Sequence, residues 1–275
     1  MFIPGKQFTR YILTSILLLC ICTQIFAQVT DSTLTKTHIP RKPLNISNIQ
    51  DLTKEGFNFW QDKFSGHFTG IDFGLNTFVS ENYSGYDPSV YGFMNNNLIR
   101  SNSLFVNFIE QCISLQHNRN TIGIVTGIGL EMQSYRLNRN TTIEKMPDGT
   151  ITPKTLVFED NQKSKLSTVY LIAPLLAEFQ VPIRNYANRF YVSGGLYGGL
   201  RVSSQTKIKY RADKKKEKLK TPGDYSLQSF KYGLMIRTGY RWINLFATYD
   251  LTTLFKDSLG PELTPVTLGV TLVSF

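Results

Sequence analysis

The clearest pattern in the chain is RFYVSGGLYGGLRV, residues 189–202. Apolar residues such as Phe190, Val192, Leu196 and Leu200 alternate there with small, hydroxylated or charged residues. Successive side chains of a β-strand point to opposite faces, so one face suits lipid and the other a polar interior. The pattern therefore predicts a strand over residues 189–207 that crosses a membrane with one apolar face.

Seven further segments show the same alternation less cleanly. They are residues 67–78, 103–115, 121–137, 166–181, 226–241, 244–255 and 265–275. Long polar gaps and short turns separate the segments in regular succession, which is typical of a transmembrane β-barrel with loops on one side and turns on the other. We predict an all-β fold, an eight-stranded antiparallel transmembrane β-barrel of the outer-membrane type, with both termini in the periplasm.

The N-terminal residues predict export. Lys6 and Arg10 precede an apolar stretch, residues 12–25, and Ala27 offers a cleavage point, as in a secretory signal peptide. We expect three regions: a signal peptide over 1–27, a flexible periplasmic lead over 28–64 and a barrel over 65–275. Cleavage leaves Cys112 as the only cysteine, which excludes an intrachain disulfide. Together with the barrel pattern, these features predict a location in the outer membrane of a Gram-negative bacterium.

Three places break the alternation. Around Glu110 the second segment loses its pattern, which predicts a bulge there. Pro174 lies in the middle of the fourth segment and also predicts a bulge, because proline lacks a donor for the ladder. In the last segment most apolar residues are out of phase with Phe275, the terminal aromatic that we interpret as the assembly signal for the barrel-assembly machinery.

Two stretches resemble a known family. Phe64-Ser65-Gly66-His67-Phe68-Thr69-Gly70-Ile71-Asp72-Phe73-Gly74-Leu75-Asn76 resembles the first strand of the PorT-like outer-membrane β-barrel proteins. Residues 165–179, with Pro174, are similar to their central strand. The similarity covers about residues 56–275 and implies a barrel. The founding type is implicated in assembling a secretion and gliding apparatus, but no motif in this chain carries that role over.

The alternation places charged side chains in the lumen. The predicted inward-facing set is Asp72, Glu131, Glu178, Arg201, Lys231, Arg237, Arg241 and Asp250. Side chains can fill the interior of an eight-stranded barrel, and buried charges are tolerated when they are paired. We therefore predict a lumen closed by an acid–base network, with Glu178 paired to Arg201 and Asp250 to Arg237. The alternative is a small passive pore or a small-ligand-binding barrel.

The sequence contains few candidate catalytic or metal-binding residues. The mature histidines, His38, His67 and His117, share no predicted rim with a serine and a carboxylate, so we expect no enzyme. One cysteine and scattered histidines lack the spacing of metal ligands, and we predict neither a metal nor a cofactor. The expected role is structural, interaction-based or accessory to envelope assembly, with an envelope protein as a partner.

Positive charge is concentrated in one connection. The formal charge is +10, and removal of Lys6 and Arg10 leaves +8. The basic loop consists of Lys207, Lys209, Arg211, Lys214, Lys215, Lys216, Lys218 and Lys220. Aromatic residues that could stack on bases are missing from residues 214–220, so we favour outer-membrane lipid and lipopolysaccharide as partners over nucleic acid. A solvated, mobile loop is the alternative.

Overall fold

The structure, a computed structural model, describes residues 64–116, 121–156, 163–183, 185–212 and 215–274. The predicted signal peptide, almost all of the lead, His117, Lys214 and Phe275 lie outside the described residues. Within the described ranges, no helix combines the length and the apolar character needed to cross a membrane.

The described part of the chain forms strands and two short 3-10 turns, Pro88–Val90 and Leu98–Arg100. The strands are β1 (Gly70–Asn82), β2 (Asn102–Ser114), β3 (Ile122–Arg136), β4 (Thr141–Lys145), β5 (Ile151–Thr155), β6 (Lys163–Ile183), β7 (Asn185–Ala212), β8 (Lys215–Pro222), β9 (Phe230–Tyr240), β10 (Ile243–Asp250) and β11 (Glu262–Ser274).

Eight of these strands pair in a closed antiparallel ring. Its order is β1, β2, β3, β6, β7, β9, β10 and β11, and β11 pairs back to β1. Every strand of the ring has a neighbour on both sides, so the backbone groups are satisfied without a free edge. The predicted eight-stranded barrel is confirmed.

The two faces of the strands follow the predicted alternation. In β7, Leu196 and Leu200 are 54% and 57% exposed on the outer surface. Tyr191, Ser193 and Tyr197, which lie between outward-facing positions, are buried in the interior. The outer surface of the barrel is therefore apolar, as a lipid-facing surface must be.

The bulge in β2 lies close to its predicted place. Asn107 faces Gly129 and Ile109 faces Ile128, so Phe108 is the extra residue. A bulge moves the following side chains to the opposite face. Glu110 and Cys112 consequently turn towards the interior, where Glu110 accepts hydrogen bonds from the segment before β1.

The bulge predicted at Pro174 is wrong. Pro174 stays in register with Tyr197 of β7, and no shift occurs near it. On the other side, the ladder between β3 and β6 skips the positions at Pro174 but continues in the same register beyond them. The Thr126 hydroxyl donates to the Pro174 carbonyl at 2.7 Å. The missing donor is thus accommodated by a local gap in one ladder.

A bulge in β11 accounts for the irregular phase of the last strand. Ile71 of β1 faces Val273, whereas Asp72 faces Thr271, so Leu272 is extra. The bulge brings Val273 to the outer surface, the same surface as Leu268 and Val270. The Thr271 side chain turns inward and bonds to Asp72.

Two hairpins lie outside the ring. One is formed by β4 and β5, and the other extends β7 through its pairing with β8 from Gln205↔Pro222 to Ala212↔Lys215. The basic segment therefore forms a β-hairpin with regular strand pairing, whereas the sequence predicted a loop. Sequence analysis missed both hairpins because each is a short local pairing within a long connection.

Two apolar clusters fill the interior. One lies beneath the long connections and contains residues from them, such as Phe93, Tyr225 and Leu254. The other lies among the strands and includes Phe64 and Phe68 from the segment before β1. The barrel is thus packed with side chains beneath its loops and at its N-terminal entrance.

Candidate functional site

The lumen contains six almost fully buried charged side chains. They are Asp72, Glu131, Glu178, Lys231, Arg237 and Asp250. All six belong to the set expected from the alternation. Burying a charge is costly unless it is paired and hydrogen-bonded, so the partners of each one decide what the lumen can do.

Lys231 is the centre of the first group. Its Nζ lies 2.8 Å from Glu131 Oε2 and 3.2 Å from Asp250 Oδ2. The same ammonium lies 4.7 Å from the centre of the Tyr170 ring. The Tyr197 hydroxyl donates to Asp250. One cation therefore holds two carboxylates inside the barrel.

A chain of polar side chains continues from Glu131. Gln133 Nε2 donates to Glu131 Oε1 at 2.6 Å, and the Tyr135 hydroxyl donates to Gln133 Oε1 at 2.9 Å. Tyr135 in turn stacks on Phe78 with ring centroids 4.8 Å apart. The Lys231 group is thus joined directly to the apolar cluster beneath the long connections.

Asp72 and Arg237 form the second group. Arg237 Nη1 donates to Asp72 Oδ2 at 2.8 Å, and Nη2 donates to Asp72 Oδ1 at 3.1 Å. Asn107 Nδ2 and the Thr271 hydroxyl donate to the same carboxylate at 2.8 and 2.6 Å. Arg237 also donates to the carbonyl of His67. This is a bidentate pair with its remaining acceptor sites filled.

Glu178 belongs to a third group at the N-terminal entrance. His67 Nδ1 lies 2.7 Å from Glu178 Oε1, and Gln180 Nε2 donates to the same oxygen at 2.7 Å. The His67 ring stacks on Tyr191 with centroids 4.0 Å apart. These contacts fix the segment that enters the barrel ahead of β1.

Glu110 reinforces that entrance. Its Oε2 accepts from the backbone nitrogens of Phe68 and Thr69 at 2.6 and 2.9 Å. One feature of the sequence hints at this role, since Glu110 stands where the alternation of the second segment breaks. His67 had no such signal, because it precedes the regular part of β1.

Both predicted ion pairs are wrong. Glu178 faces Ser193 of β7, eight residues from Arg201, which is about 26 Å along a strand. Arg237 faces Phe246 of β10, four residues or about 13 Å from Asp250. Neighbouring strands bring side chains close only when the register also places them at the same depth.

Arg201 lies nearer the outer end of the lumen than predicted. It binds the Asp224 carboxylate, and its Nη1 donates to the Asp224 carbonyl at 2.8 Å. Lys145 of β4 and Lys256 lie 3.3 and 3.9 Å from the same carboxylate. Asp224 therefore joins three separate connections at this mouth of the barrel.

The contact with Arg201 lowers the pKa of Asp224 below its ordinary value, chiefly through the hydrogen bond from the guanidinium. A depressed folded-state pKa stabilises the fold above the unfolded pKa of about 3.9, and this stabilisation is lost as the pH falls through the folded pKa. We expect Arg201→Gln to raise the pKa of Asp224 towards that ordinary value.

The measurement is a carbon-13 NMR titration of the aspartate carboxyls in detergent micelles. Lys256→Gln is the matched control, because Lys256 is the more distant cation, and it should give a smaller upward shift. An unchanged titration of Asp224 in the Arg201 variant would contradict the assignment.

Arg241 does not belong to the lumen. It is exposed in the two-residue turn between β9 and β10 and has a positive φ of 58°. The sequence placed it on the inward face by extending the alternation one residue too far. Because only two residues separate β9 from β10, the sequence contains no clear signal for the end of β9.

The predicted basic residues divide between the described and the undescribed parts of the chain. Lys207, Lys209, Lys218 and Lys220 lie in the hairpin of β7 and β8, and Lys215 lies near its tip. Arg211 and Lys216 face each other in the backbone register, and Lys214 lies outside the described residues.

The arrangement of the lumen suits packing and closure. Each buried charge has an ionic or hydrogen-bonding partner, and aromatic residues of the second apolar cluster pack directly against Lys231 and Arg237. Among the residues that the structure describes, no group of three or more histidines, cysteines, aspartates or glutamates is placed to hold a metal ion.

One cavity lies away from this network. Its volume is about 420 Å³, and it is lined by the β4–β5 hairpin, by β7 and β8 and by residues 221–225. Ile143, Leu156, Ile208 and Leu219 contribute apolar surface to it. None of the eight predicted lumen charges lines it.

A comparison with known families finds one match. The family described as "Outer membrane protein beta-barrel domain" matches residues 59–259. No curated protein and no solved structure matches the chain. The matched region contains seven complete strands of the ring and all six buried lumen charges.

Proposed function

Because the chain belongs to the family of outer membrane protein β-barrel domains, we propose that it is a closed, non-conducting barrel with a structural or interaction role in the cell envelope. Membership of the family establishes that the protein is an outer-membrane β-barrel. The role is inferred from the lumen, which in this chain is filled with side chains that bind one another.

The observation that carries the proposal is the pairing of the lumen charges. Lys231 neutralises two carboxylates, and Arg237 holds Asp72 with both terminal nitrogens. A water-filled pore leaves such groups free to bind solvent and ions. Here their partners are other side chains, and Phe64 and Phe68 pack into the entrance beside them.

The proposal includes an accessory role in envelope assembly, which is the role of the founding type of the PorT-like proteins that residues 64–76 and 165–179 resemble, although those residues are motifs of the barrel and not of that role. In this proposal the chain is exported through a signal peptide cleaved after Ala27 and binds an envelope protein. The same proposal assigns it no enzymatic activity. Crosslinking in intact cells followed by purification of the barrel tests the partner, and N-terminal sequencing of the mature protein tests the cleavage site.

Conductance separates the closed barrel from a small passive pore. We expect the refolded protein to give no current steps in planar lipid bilayers, because paired charges and packed aromatic residues obstruct the lumen. A known porin in the same bilayer is the positive control. Regular ion-selective steps from the purified protein would instead support the pore.

A further inference from the structure

The registers of four strands align positive charges in two rows. Arg136 of β3 faces Lys165 of β6, Lys165 faces Lys207 of β7, and Lys207 faces Lys220 of β8. One step further along the strands, Lys163 faces Lys209, and Lys209 faces Lys218. The cationic face consists of Arg136, Lys163, Lys165, Lys207, Lys209, Lys218 and Lys220.

This face is on the outer surface of the barrel. The residues between the cations, including Leu166 in β6 and Ile208 in β7, are buried on the inner side. Alternation therefore directs the seven cationic side chains outward. In β7, Val202 is an extra residue in the pairing with β6, and this bulge moves Lys207 and Lys209 to the lipid-facing side of the strand.

Charge repulsion on this face is uncompensated within the described protein. None of the seven cations takes part in an ion pair with a described carboxylate. Lys165 does donate to the Ser134 hydroxyl, which carries no charge. Like charges directly opposite each other across strands are destabilising. A bound group of opposite charge would therefore stabilise this face.

The position of the face indicates where that partner comes from. Lys165 lies four residues before Val169, and Lys207 lies five residues after the outward-facing Val202. These separations are about 13 and 16 Å along the strands, and less in height because barrel strands are tilted. The cations therefore lie beyond the apolar band on the side of the long connections, where long lysine side chains can reach lipid headgroups.

We propose that the cationic face binds the phosphate groups of a phosphorylated glycolipid, the lipid A part of lipopolysaccharide, at the outer surface of the membrane. Lysine ammonium groups bind phosphate as point charges, and two rows of them match several phosphates held side by side in a leaflet. The alignment contains no aromatic side chain for stacking on bases, which favours lipid over nucleic acid. The proposal rests on the outer-membrane location that the family gives.

The test uses the whole mature protein in a zwitterionic detergent. Native mass spectrometry measures binding of bisphosphorylated lipid A, monophosphoryl lipid A and phosphatidylethanolamine, and a single-stranded oligonucleotide serves as a competing polyanion. The variant carries Lys207→Gln, Lys209→Gln, Lys218→Gln and Lys220→Gln. The matched control carries Lys36→Gln, Lys42→Gln, Lys54→Gln and Lys63→Gln, which remove the same charge from the predicted N-terminal lead and leave the basic hairpin intact.

We expect the variant to bind bisphosphorylated lipid A at least about tenfold more weakly than the wild type, while the control binds normally. Loss of one phosphate should weaken binding to the wild type. A second readout is the temperature at which the barrel unfolds on an SDS gel. Without lipid the variant should be at least as heat-resistant as the wild type, since repulsion is relieved, whereas lipid A should stabilise only the wild type and the control.

Three results would overturn the proposal. The first is equal loss of binding in the variant and the control, which would indicate a general effect of net charge. The second is stabilisation by inorganic phosphate alone to the full extent produced by lipid A. The third is tighter binding of the oligonucleotide than of lipid A. A four-site Lys→Arg variant that retains binding would confirm that the folded hairpin and its charge are what matter.

Discussion

Lys231→Met is expected to lower the free energy of unfolding of the barrel by about 3 to 5 kcal/mol. Lys231 is the cation that lies within 3.2 Å of both Glu131 and Asp250. Methionine keeps much of the side-chain volume but leaves two carboxylates buried together without a counter-charge. Equilibrium unfolding in urea from lipid vesicles, followed by the heat-sensitive shift in gel mobility, measures the change.

The control for this prediction removes all three charges. Lys231→Met combined with Glu131→Gln and Asp250→Asn should recover most of the lost stability, since a neutral group of similar shape avoids unpaired burial. A single variant as stable as the wild type would contradict the pairing. A triple variant no more stable than the single one would show that shape, and not charge, dominates there.

Arg237→Met should cost a comparable amount, about 3 to 5 kcal/mol, because Asp72 would keep only the neutral donors Asn107 and Thr271. The guanidinium also lies 5.7 and 5.9 Å from the rings of Phe68 and Phe246, so its loss removes packing as well. The same urea titration applies.

Arg241→Met is the matched control, because Arg241 is exposed in a turn of the same region of the chain. Its effect should stay within about 0.5 kcal/mol. Equal effects of the two substitutions would refute the buried pair. Arg237→Lys should lie between wild type and Arg237→Met, since lysine keeps the charge but cannot form the two parallel hydrogen bonds.

The sequence was a good guide to everything that depends on a period of two. Alternation located all eight strands of the ring, and six of the eight charges that it predicted to face inward are almost fully buried. It failed where a single residue interrupts the period. The extra residue in β2 is Phe108 and that in β11 is Leu272, and neither differs in kind from its neighbours.

The partners of the charges could not be predicted for a different reason. Pairing depends on the stagger between strands, which is fixed by the whole ring and is not written in any one segment. Arg237 illustrates this, since it reaches Asp72 on β1, although β10 and β11 lie between their strands. Conversely, Arg201 neighbours the strand of Glu178 but lies at another depth.

The Asp72 group also has a consequence for the order of events in assembly. Its members come from β1, β2, β9 and β11, so they span the seam where the first and last strands of the ring meet. The Asp72 carboxylate acquires its full set of donors only when β11 pairs with β1. The ion pair of Asp72 with Arg237 therefore stabilises the closed ring. Reopening the ring must break the β1–β11 hydrogen bonds and also leave the buried Asp72 carboxylate with fewer partners. We therefore expect the Asp72 group to slow the opening of the barrel between β1 and β11, two neighbouring strands that no turn or loop connects.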